Sequence, residues 1–142
     1  MDRMFKSMLI PGLLFVSQAA IAQTEYKVVL LTERQMRERA TVQVLPRYPA
    51  RNRKDVAEGV VVAFVEVDPS GAVTKVRIMQ SPNLASGMAT ESALKKWKFT
   101  PVVTSDGTRG AKGKLTFYFY LRGGRGVVEN PRMVEKLRNG TT

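Results

Sequence analysis

A valine-rich run followed by a turn constrains the fold of this chain more than any other feature. The segment Val60–Val67 consists mainly of β-branched and aromatic residues, which fit the pleated surface of a buried strand. It ends in Asp68-Pro69-Ser70-Gly71, where proline sets the backbone of the second turn position and glycine suits the fourth. The segment Ala72–Gln80 then returns antiparallel, and a break in its apolar alternation predicts a bulge near Thr74. The sequence therefore predicts a β-hairpin at the centre of an antiparallel sheet.

A helix and a third strand follow this hairpin. Ser81-Pro82-Asn83 ends the hairpin and starts a helix, and Pro101 ends it. Apolar residues at helical spacing form one stripe on this helix: Ala89, Ala93, Leu94 and Trp97. The segment from 115 to 121 alternates with period two, which predicts a strand. Its residues Leu115, Phe117, Phe119 and Leu121 are expected to face the helices, and Thr116, Tyr118 and Tyr120 to face the opposite way.

Shorter elements flank this central part. Tyr26–Leu31 resembles a short strand, and Thr32 can cap a helical turn that follows it. A proline in the first turn predicts a short basic helix after Tyr48. Gly123-Gly124 is expected to close the domain, and Asn130-Pro131 can start a last helix through residue 137.

The order of these elements predicts the fold class. It is an α+β fold with two layers, in which a three-stranded antiparallel sheet of order 2-1-3 carries helices on one face. The third strand, 115–121, would then lie at an edge and leave backbone donors and acceptors free for another chain. The alternative is that segment Tyr26–Leu31, or a second copy of the protein in a homodimer, covers that edge.

The first residues predict export. Arg3 and Lys6 precede an apolar run, and Ala20-Ile21-Ala22 offers the small residues that a signal peptidase requires. An uncleaved membrane anchor is the alternative, but the run contains Pro11 and falls short of the ~20 residues that span a bilayer. We therefore divide the chain into a signal peptide at 1–22, an extension at 23–45, a domain at 46–123 and a basic tail at 124–142, and we expect a periplasmic location.

The composition excludes most enzyme mechanisms. The chain has no Cys and no His, so it lacks thiolate nucleophiles, imidazole bases and most transition-metal ligands. Chemistry through Ser81 or Asp68 with a nearby lysine would remain, but a turn and a strand end explain these two residues more simply. We expect no enzymatic activity, no metal and no cofactor. The net charge of +11 favours an anionic partner.

Several short motifs together resemble one known family, the C-terminal domain of TonB. The residues that carry the resemblance are Tyr48-Pro49-Ala50-Arg51, Glu58-Gly59-Val60-Val61-Val62, Phe64, Val67-Asp68, Gly71, Val73, Val76, Ser92-Ala93-Leu94, Trp97-Lys98-Phe99, Pro101, Phe117, Phe119 and Leu121. They cover roughly 45–121 in co-linear order. No single motif is specific, but their combination is strong.

The resemblance implies a periplasmic binding module of TonB-dependent transport. Such a module grasps an extended segment of an outer-membrane receptor by adding it as a strand to its sheet. Carried over to this sequence, the pairing strand would comprise Leu115, Thr116, Phe117, Tyr118, Phe119 and Tyr120, with Arg47, Tyr48 and Pro49 beside the incoming peptide. Arg47 stands where members of the family commonly have glutamine. The segment between Ala22 and Tyr48 reaches at most about 90 Å, which predicts a module that binds without transmitting force itself.

A second hypothesis is an envelope scaffold. Basic residues on the predicted helices would then hold peptidoglycan or an acidic protein: Arg51, Arg53, Lys54, Lys95, Lys96 and Lys98. Nucleic acid is the least favoured partner, because export separates the chain from it and because Trp97 and Phe99 are spaced as core residues.

Overall fold

The structure is a computed structural model, and it describes residues 25–49, 58–132 and 139–140. The elements in this part of the chain are β1 (Val28–Leu30), α1 (Glu33–Arg39), β2 (Ala40–Val42), β3 (Gly59–Val67), β4 (Val73–Gln80), α2 (Leu84–Leu94), β5 (Lys98–Phe99), β6 (Val102–Thr104), β7 (Gly107–Arg122) and β8 (Arg125–Glu129). Within these residues no helix is both long and apolar enough to cross a membrane. The predicted signal peptide and the predicted helix after Tyr48 lie outside the described residues, apart from Pro49.

The central hairpin forms as predicted. Asp68 Oδ1 accepts hydrogen bonds from the backbone N–H groups of Ser70 at 2.9 Å and Ala72 at 3.1 Å, which fixes the turn between β3 and β4. Gly71 has a φ of +89°, and a Cβ there would lie 1.9 Å from the carbonyl oxygen of Phe99. Glycine is therefore required at this position. Glu66 pairs with Lys75 but Val67 pairs with Val73, so the bulge predicted near Thr74 is confirmed.

The sheet is larger than predicted. The three predicted strands lie side by side in the predicted order, β4-β3-β7, but β1, β6 and β8 also pair with β7. Among the described residues the sheet has six strands, and it is mixed because β1 runs parallel to β7 at Gly110–Lys112. The three-stranded antiparallel description is therefore wrong.

The start of β7 explains the error. The strand begins at Gly107, eight residues before the predicted Leu115, and Gly110 and Gly113 interrupt its apolar alternation. A Cβ at Gly113 would lie 2.6 Å from Met36 Cγ and 2.8 Å from the carbonyl oxygen of Leu31. These glycines let the N-terminal segment approach closely, and they also hide the strand from a search for alternating side chains.

The predicted edge position of 115–121 is also wrong. Tyr118–Arg122 pairs antiparallel with Arg125–Glu129 of β8. The chain reverses at Gly123 and Gly124, whose φ angles of +56° and +76° suit a two-residue hairpin turn. β7 therefore has β3 on one side and β8 on the other. Leu121, expected in the core, lies beside this turn and is 41% exposed.

The helices pack on one face of the sheet. Thr32 caps α1 as predicted, and Asn83 caps α2 by accepting a hydrogen bond from Ser86 N–H at 2.7 Å. The helix α2 ends at Leu94 and not at Pro101. Its predicted extension is wrong because Lys98–Phe99 pairs with β2 instead.

A single core lies between the helices and the sheet. Trp97 follows α2, packs edge to face on Phe117 with 5.9 Å between ring centroids, and donates from Nε1 to the carbonyl oxygen of Val44 at 2.8 Å. Leu115, Phe117 and Phe119 face this core as predicted. Met36 from the N-terminal extension and Val128 from β8 belong to the same core.

Candidate functional site

The candidate site is the side of β7 that faces away from β3, because the sequence predicts that a partner strand would pair there. Two segments of this chain pair with it. β1 lies along Gly110–Lys112, where Leu31 N–H donates to the carbonyl oxygen of Lys112 at 2.8 Å. β8 lies along Tyr118–Arg122. We call this side of β7 the covered edge.

Side chains of α1 bind the covered edge between these two strands. Thr116 N–H donates to Glu33 Oε1 at 2.7 Å, and its hydroxyl donates to Glu33 Oε2 at 3.0 Å. The carbonyl oxygen of Thr116 accepts from Arg37 Nη2 at 2.5 Å. Glu33 and Arg37 also form an ion pair at 2.8 Å, so the pair supplies the acceptor and the donor that a neighbouring strand would supply.

Arg37 of α1 is unusually buried for a charged side chain. Its side chain is 6% exposed, and its guanidinium lies 5.4 Å from the centroid of the Phe117 ring. Burial lowers the pKa of Arg37, and the hydrogen bond and charge of Glu33 oppose this effect. Its Nε and Nη1 atoms are buried without a hydrogen-bond partner in the part of the chain that the structure describes. The guanidinium therefore depends on Glu33 for its compensating charge.

β8 occupies the place that the sequence assigns to a partner strand. The ring of Tyr48 lies directly over Gly126 of β8, where an added Cβ would lie 2.0 Å from Tyr48 Cδ1. It also lies 6.1 Å from the Phe119 ring. Burial, followed by the negative charge of Glu58, raises the pKa of Tyr48. Tyr48 thus lies beside β8 of the same chain, and its place beside an incoming peptide stays a prediction.

Polar side chains also hold the hairpin of β7 and β8 in place. Leu121 N–H, on the β3 side, donates to Glu58 Oε1 at 3.0 Å. Arg122 pairs with Glu129 at 3.3 Å and donates to the Tyr120 hydroxyl at 2.7 Å. A hydrogen bond with Glu129 raises the pKa of Tyr120. An ion pair thus joins β7 to β8, and a hydrogen bond joins β7 to Glu58, the residue before β3.

The other predicted site residues are dispersed. Arg47 is exposed and Pro49 is half-buried, and neither pairs with a strand in the part of the chain that the structure describes. Of the predicted basic patch, Lys95 forms an ion pair with Glu91 at 3.0 Å and Lys98 lies in β5, not on a helix. Lys96 is exposed, and Arg51, Arg53 and Lys54 lie outside the described residues. The role of all these residues stays a prediction.

A different cationic cluster lies on the sheet face opposite α1 and α2, which sequence reasoning missed. Across the sheet, Glu66 pairs with Lys75 on one side and with Lys112 on the other. In the next row, Phe64 pairs with Arg77 and with Lys114. We call these residues the sheet-face cluster: Phe64, Glu66, Lys75, Arg77, Lys112 and Lys114. Alternation along β4 could have indicated Lys75 and Arg77. Lys112 and Lys114 lie in the part of β7 where glycines interrupt the alternation.

The described residues contain no group of three or more His, Cys, Asp or Glu side chains able to hold a metal ion. The expectations of no metal, no cofactor and no enzymatic activity stay predictions. Asp68, one of two residues considered for catalysis, has its carboxylate occupied by the turn, because Ser70 N–H, the Ser70 hydroxyl and Ala72 N–H all donate to Oδ1.

Comparison with known proteins gives a family match. The sequence model described as the Gram-negative bacterial TonB protein C-terminal matches residues 44–121. No curated protein matches the chain. Among solved structures, the solution NMR structure of the Pseudomonas aeruginosa TonB CTD matches with a TM-score of 0.50 and 22% sequence identity, covering 61% of this chain and 88% of that one. At this identity the likeness shows a shared fold. The elements β1, α1, β2 and β8 lie outside the segment that the family model matches.

Proposed function

The chain belongs to the family of TonB C-terminal domains, and from this premise we propose that it is a periplasmic binding module of TonB-dependent transport that captures an extended receptor segment by strand addition. Domains of this family are periplasmic and interact with outer-membrane receptors in general. The segment would pair with Tyr118–Arg122 of β7, with Tyr48 across it. Because β8 lies there, the segment must take the place of β8.

The position of β8 is the observation that carries this proposal. Its five residues form an antiparallel ladder with the end of β7, so this edge has the geometry to accept a strand. The family match ends at residue 121, just before the hairpin turn, so β8 is not part of the pattern that the family shares. A strand from another chain can replace its backbone hydrogen bonds one for one.

The exchange has an energetic cost that sets a requirement on the segment. Val128 of β8 is 9% exposed and belongs to the core, and exposing such a side chain costs about 1.5–3 kcal/mol. The ion pair of Arg122 with Glu129 would also open. The receptor segment must therefore place an apolar side chain where Val128 lies. Peptides that lack one are expected to bind weakly.

A disulfide lock tests the exchange. The chain has no Cys, so a Tyr120→Cys/Val127→Cys variant contains a single possible disulfide. These residues pair directly across β7 and β8, and Cα atoms of such pairs are about 5.5 Å apart, within disulfide range. The variant is titrated with peptides from receptor N-termini, and backbone amide shifts of residues 118–129 are followed by NMR.

The reduced variant should bind and the oxidised variant should not, with the reduced form as the control for the lost tyrosine. If no receptor peptide moves these amides in the unmodified protein, strand addition at this edge is wrong. Equal binding by the oxidised and reduced forms would place the receptor site elsewhere on the domain.

A further inference from the structure

The helix-free face of the sheet carries a second interaction surface that is separate from the covered edge. We propose that the sheet-face cluster binds an extended acidic segment of a partner protein, with acidic residues at alternate positions. The proposal concerns different residues from those proposed to capture a receptor segment. Its test can therefore fail or succeed independently.

The register of three strands creates the cluster. Lys112, Glu66 and Lys75 form one row across β7, β3 and β4, and Lys114, Phe64 and Arg77 form the next. Strands lie about 4.8 Å apart and alternate residues about 6.8 Å apart, so the four cations occupy the corners of a rectangle of roughly 10 by 7 Å. Acidic residues at positions i and i+2 of an extended segment match the shorter side of this rectangle, about 7 Å, along either β4 or β7.

These cations have no acidic partner within ion-pair distance in the described part of the chain, although one carboxylate, Glu66, lies between two of them. Five other cations in the same part are paired with carboxylates at 2.8 to 3.3 Å: Arg34 with Glu38, Arg37 with Glu33, Lys95 with Glu91, Arg109 with Asp106 and Arg122 with Glu129. Like charges about 7 Å apart repel by roughly 0.6 kcal/mol even in water. Carboxylates from a partner would relieve this repulsion.

The centre of the second row is the apolar side chain of Phe64, which favours a protein segment as the partner over a purely charged surface. Arg77 lies 5.8 Å from the centroid of the Phe64 ring, so its guanidinium is already positioned. A shallow hollow of about 40 Å³ lies between Phe64, Glu66, Lys75 and Arg77, enough for a methyl-sized group. Val62 and Val60 continue the same face along β3 and are half-buried. The surface therefore fits a segment that alternates carboxylates with small apolar side chains.

Acidic residues set the direction of the bound segment. Glu25 and Asp68 line a wider hollow with Glu66 and Lys75, beyond the first row of the cluster. Carboxylates of the partner are therefore repelled at that end and attracted towards Arg77 and Lys114. We expect the acidic end of the segment to lie over the row that contains Phe64.

The test uses the full chain and a synthetic peptide in which glutamate alternates with valine. The matched control peptide has glutamine in place of glutamate. Amide shifts are expected in β3, β4 and the Lys112–Lys114 part of β7, and the affinity should fall as salt rises because exposed charge pairs are screened. The glutamine peptide should not bind.

Two variants that remove the same number of charges locate the site. Arg77→Gln/Lys114→Gln should lower the affinity about five- to ten-fold, in line with two exposed ion pairs. Lys96→Gln/Lys98→Gln, which leaves the cluster intact, should change it less than about two-fold. Equal losses in both variants would mean that only net charge matters and would overturn the proposal.

Two further arms separate this surface from the alternatives. Vesicles of phosphatidylglycerol should not compete with the peptide, and binding to vesicles without binding to the peptide would replace the proposed partner with a membrane. The oxidised Tyr120→Cys/Val127→Cys variant should bind the acidic peptide normally. If it does not, the acidic peptide uses the covered edge and the second surface does not exist.

Discussion

Removing the carboxylate of Glu33 should destabilise the protein far more than an ordinary helix substitution. Glu33→Ala leaves the Arg37 guanidinium without the one acidic partner that it has among the described residues, and it leaves Thr116 N–H without an acceptor. Breaking a buried ion pair by removing one member costs about 3–5 kcal/mol. The Glu33 side chain is 20% exposed and that of Arg37 only 6%, so water reaches the carboxylate more readily than the guanidinium. We expect a loss of about 3 kcal/mol in the free energy of unfolding, at the lower end of that range.

The same helix provides a matched control. Glu38 pairs with Arg34 at the same i,i+4 spacing, but its side chain is 53% exposed and that of Arg34 is 87% exposed. Glu38→Ala should therefore cost less than about 0.5 kcal/mol. Both substitutions place alanine in α1, so helix propensity changes equally. Glu33 also lies in the first turn of α1, where the helix dipole favours a carboxylate by about 0.3–1 kcal/mol, so the difference beyond that amount measures the contribution of the covered edge.

Urea unfolding of the full chain, followed by fluorescence of Trp97, measures these losses. Trp97 is the single tryptophan and is 1% exposed, so its emission should report loss of the core. Combining Glu33→Ala with Arg37→Met should restore part of the stability, because the double variant no longer buries an unpaired charge. Equal losses from Glu33→Ala and Glu38→Ala, or additive losses in the double variant, would refute the role assigned to this ion pair.

Two further substitutions probe the turn and β8. Gly126→Ala should weaken the docking of β8, because its Cβ would lie 2.0 Å from Tyr48 Cδ1. The variant should therefore bind receptor peptides more tightly in the NMR titration. Unchanged or weaker affinity would contradict competition between β8 and the peptide. Burial opposes ionisation of Asp68, but hydrogen bonds from the Ser70 hydroxyl and the backbone of Ala72, Ser70 and Gly71 outweigh it and lower its pKa. The ionised form is therefore favoured in the folded state, so its stabilising effect is present above the ordinary pKa of about 4 and is lost as pH falls towards the lowered folded value. Asp68→Asn should reduce stability at neutral pH and flatten the acid dependence below about pH 4, as urea midpoints against pH would show, whereas an unchanged acid profile would remove Asp68 from this role.

The hairpin could be predicted because its determinants are local. Asp68, Gly71 and the valines before them set the turn and the strand within a few residues, and the bulge near Thr74 follows from one break in alternation. The cap at Thr32 was predictable for the same reason, since a side chain bonds a backbone group three residues away. Such features need no knowledge of the rest of the chain.

The end of α2 could not be predicted in this way. Ala93, Leu94 and Trp97 continue a helical stripe, and only the pairing of Phe99 with Ala40 shows why the helix stops. That contact joins residues far apart in the sequence. Local periodicity therefore gave the correct buried residues but the wrong backbone conformation for the last of them.

The neighbours of β7 were hidden for a related reason. The alternation of residues 115–121 shows which side chains face the core, but it contains no information about which strand lies alongside the backbone. Gly123-Gly124 predicts the close of the domain, and only the valines after it distinguish a returning strand from a tail. The ion pair of Glu33 with Arg37 was visible as i,i+4 spacing on a helix, but its attachment to Thr116 was not.

These neighbours determine how a module of this kind can act. The matched family segment, 44–121, contains the strand proposed to capture a receptor, whereas α1 and β8, which cover it, lie outside that segment. Two strands with the same family pattern can therefore differ in accessibility, depending on residues that the pattern does not include. In this chain the coverage is uneven: Thr116 is held by a partly buried ion pair, whereas β8 begins directly after an exposed two-glycine turn that favours the unfolded chain entropically. Displacement should therefore begin at β8, and the α1 side of β7 should stay closed while a partner binds.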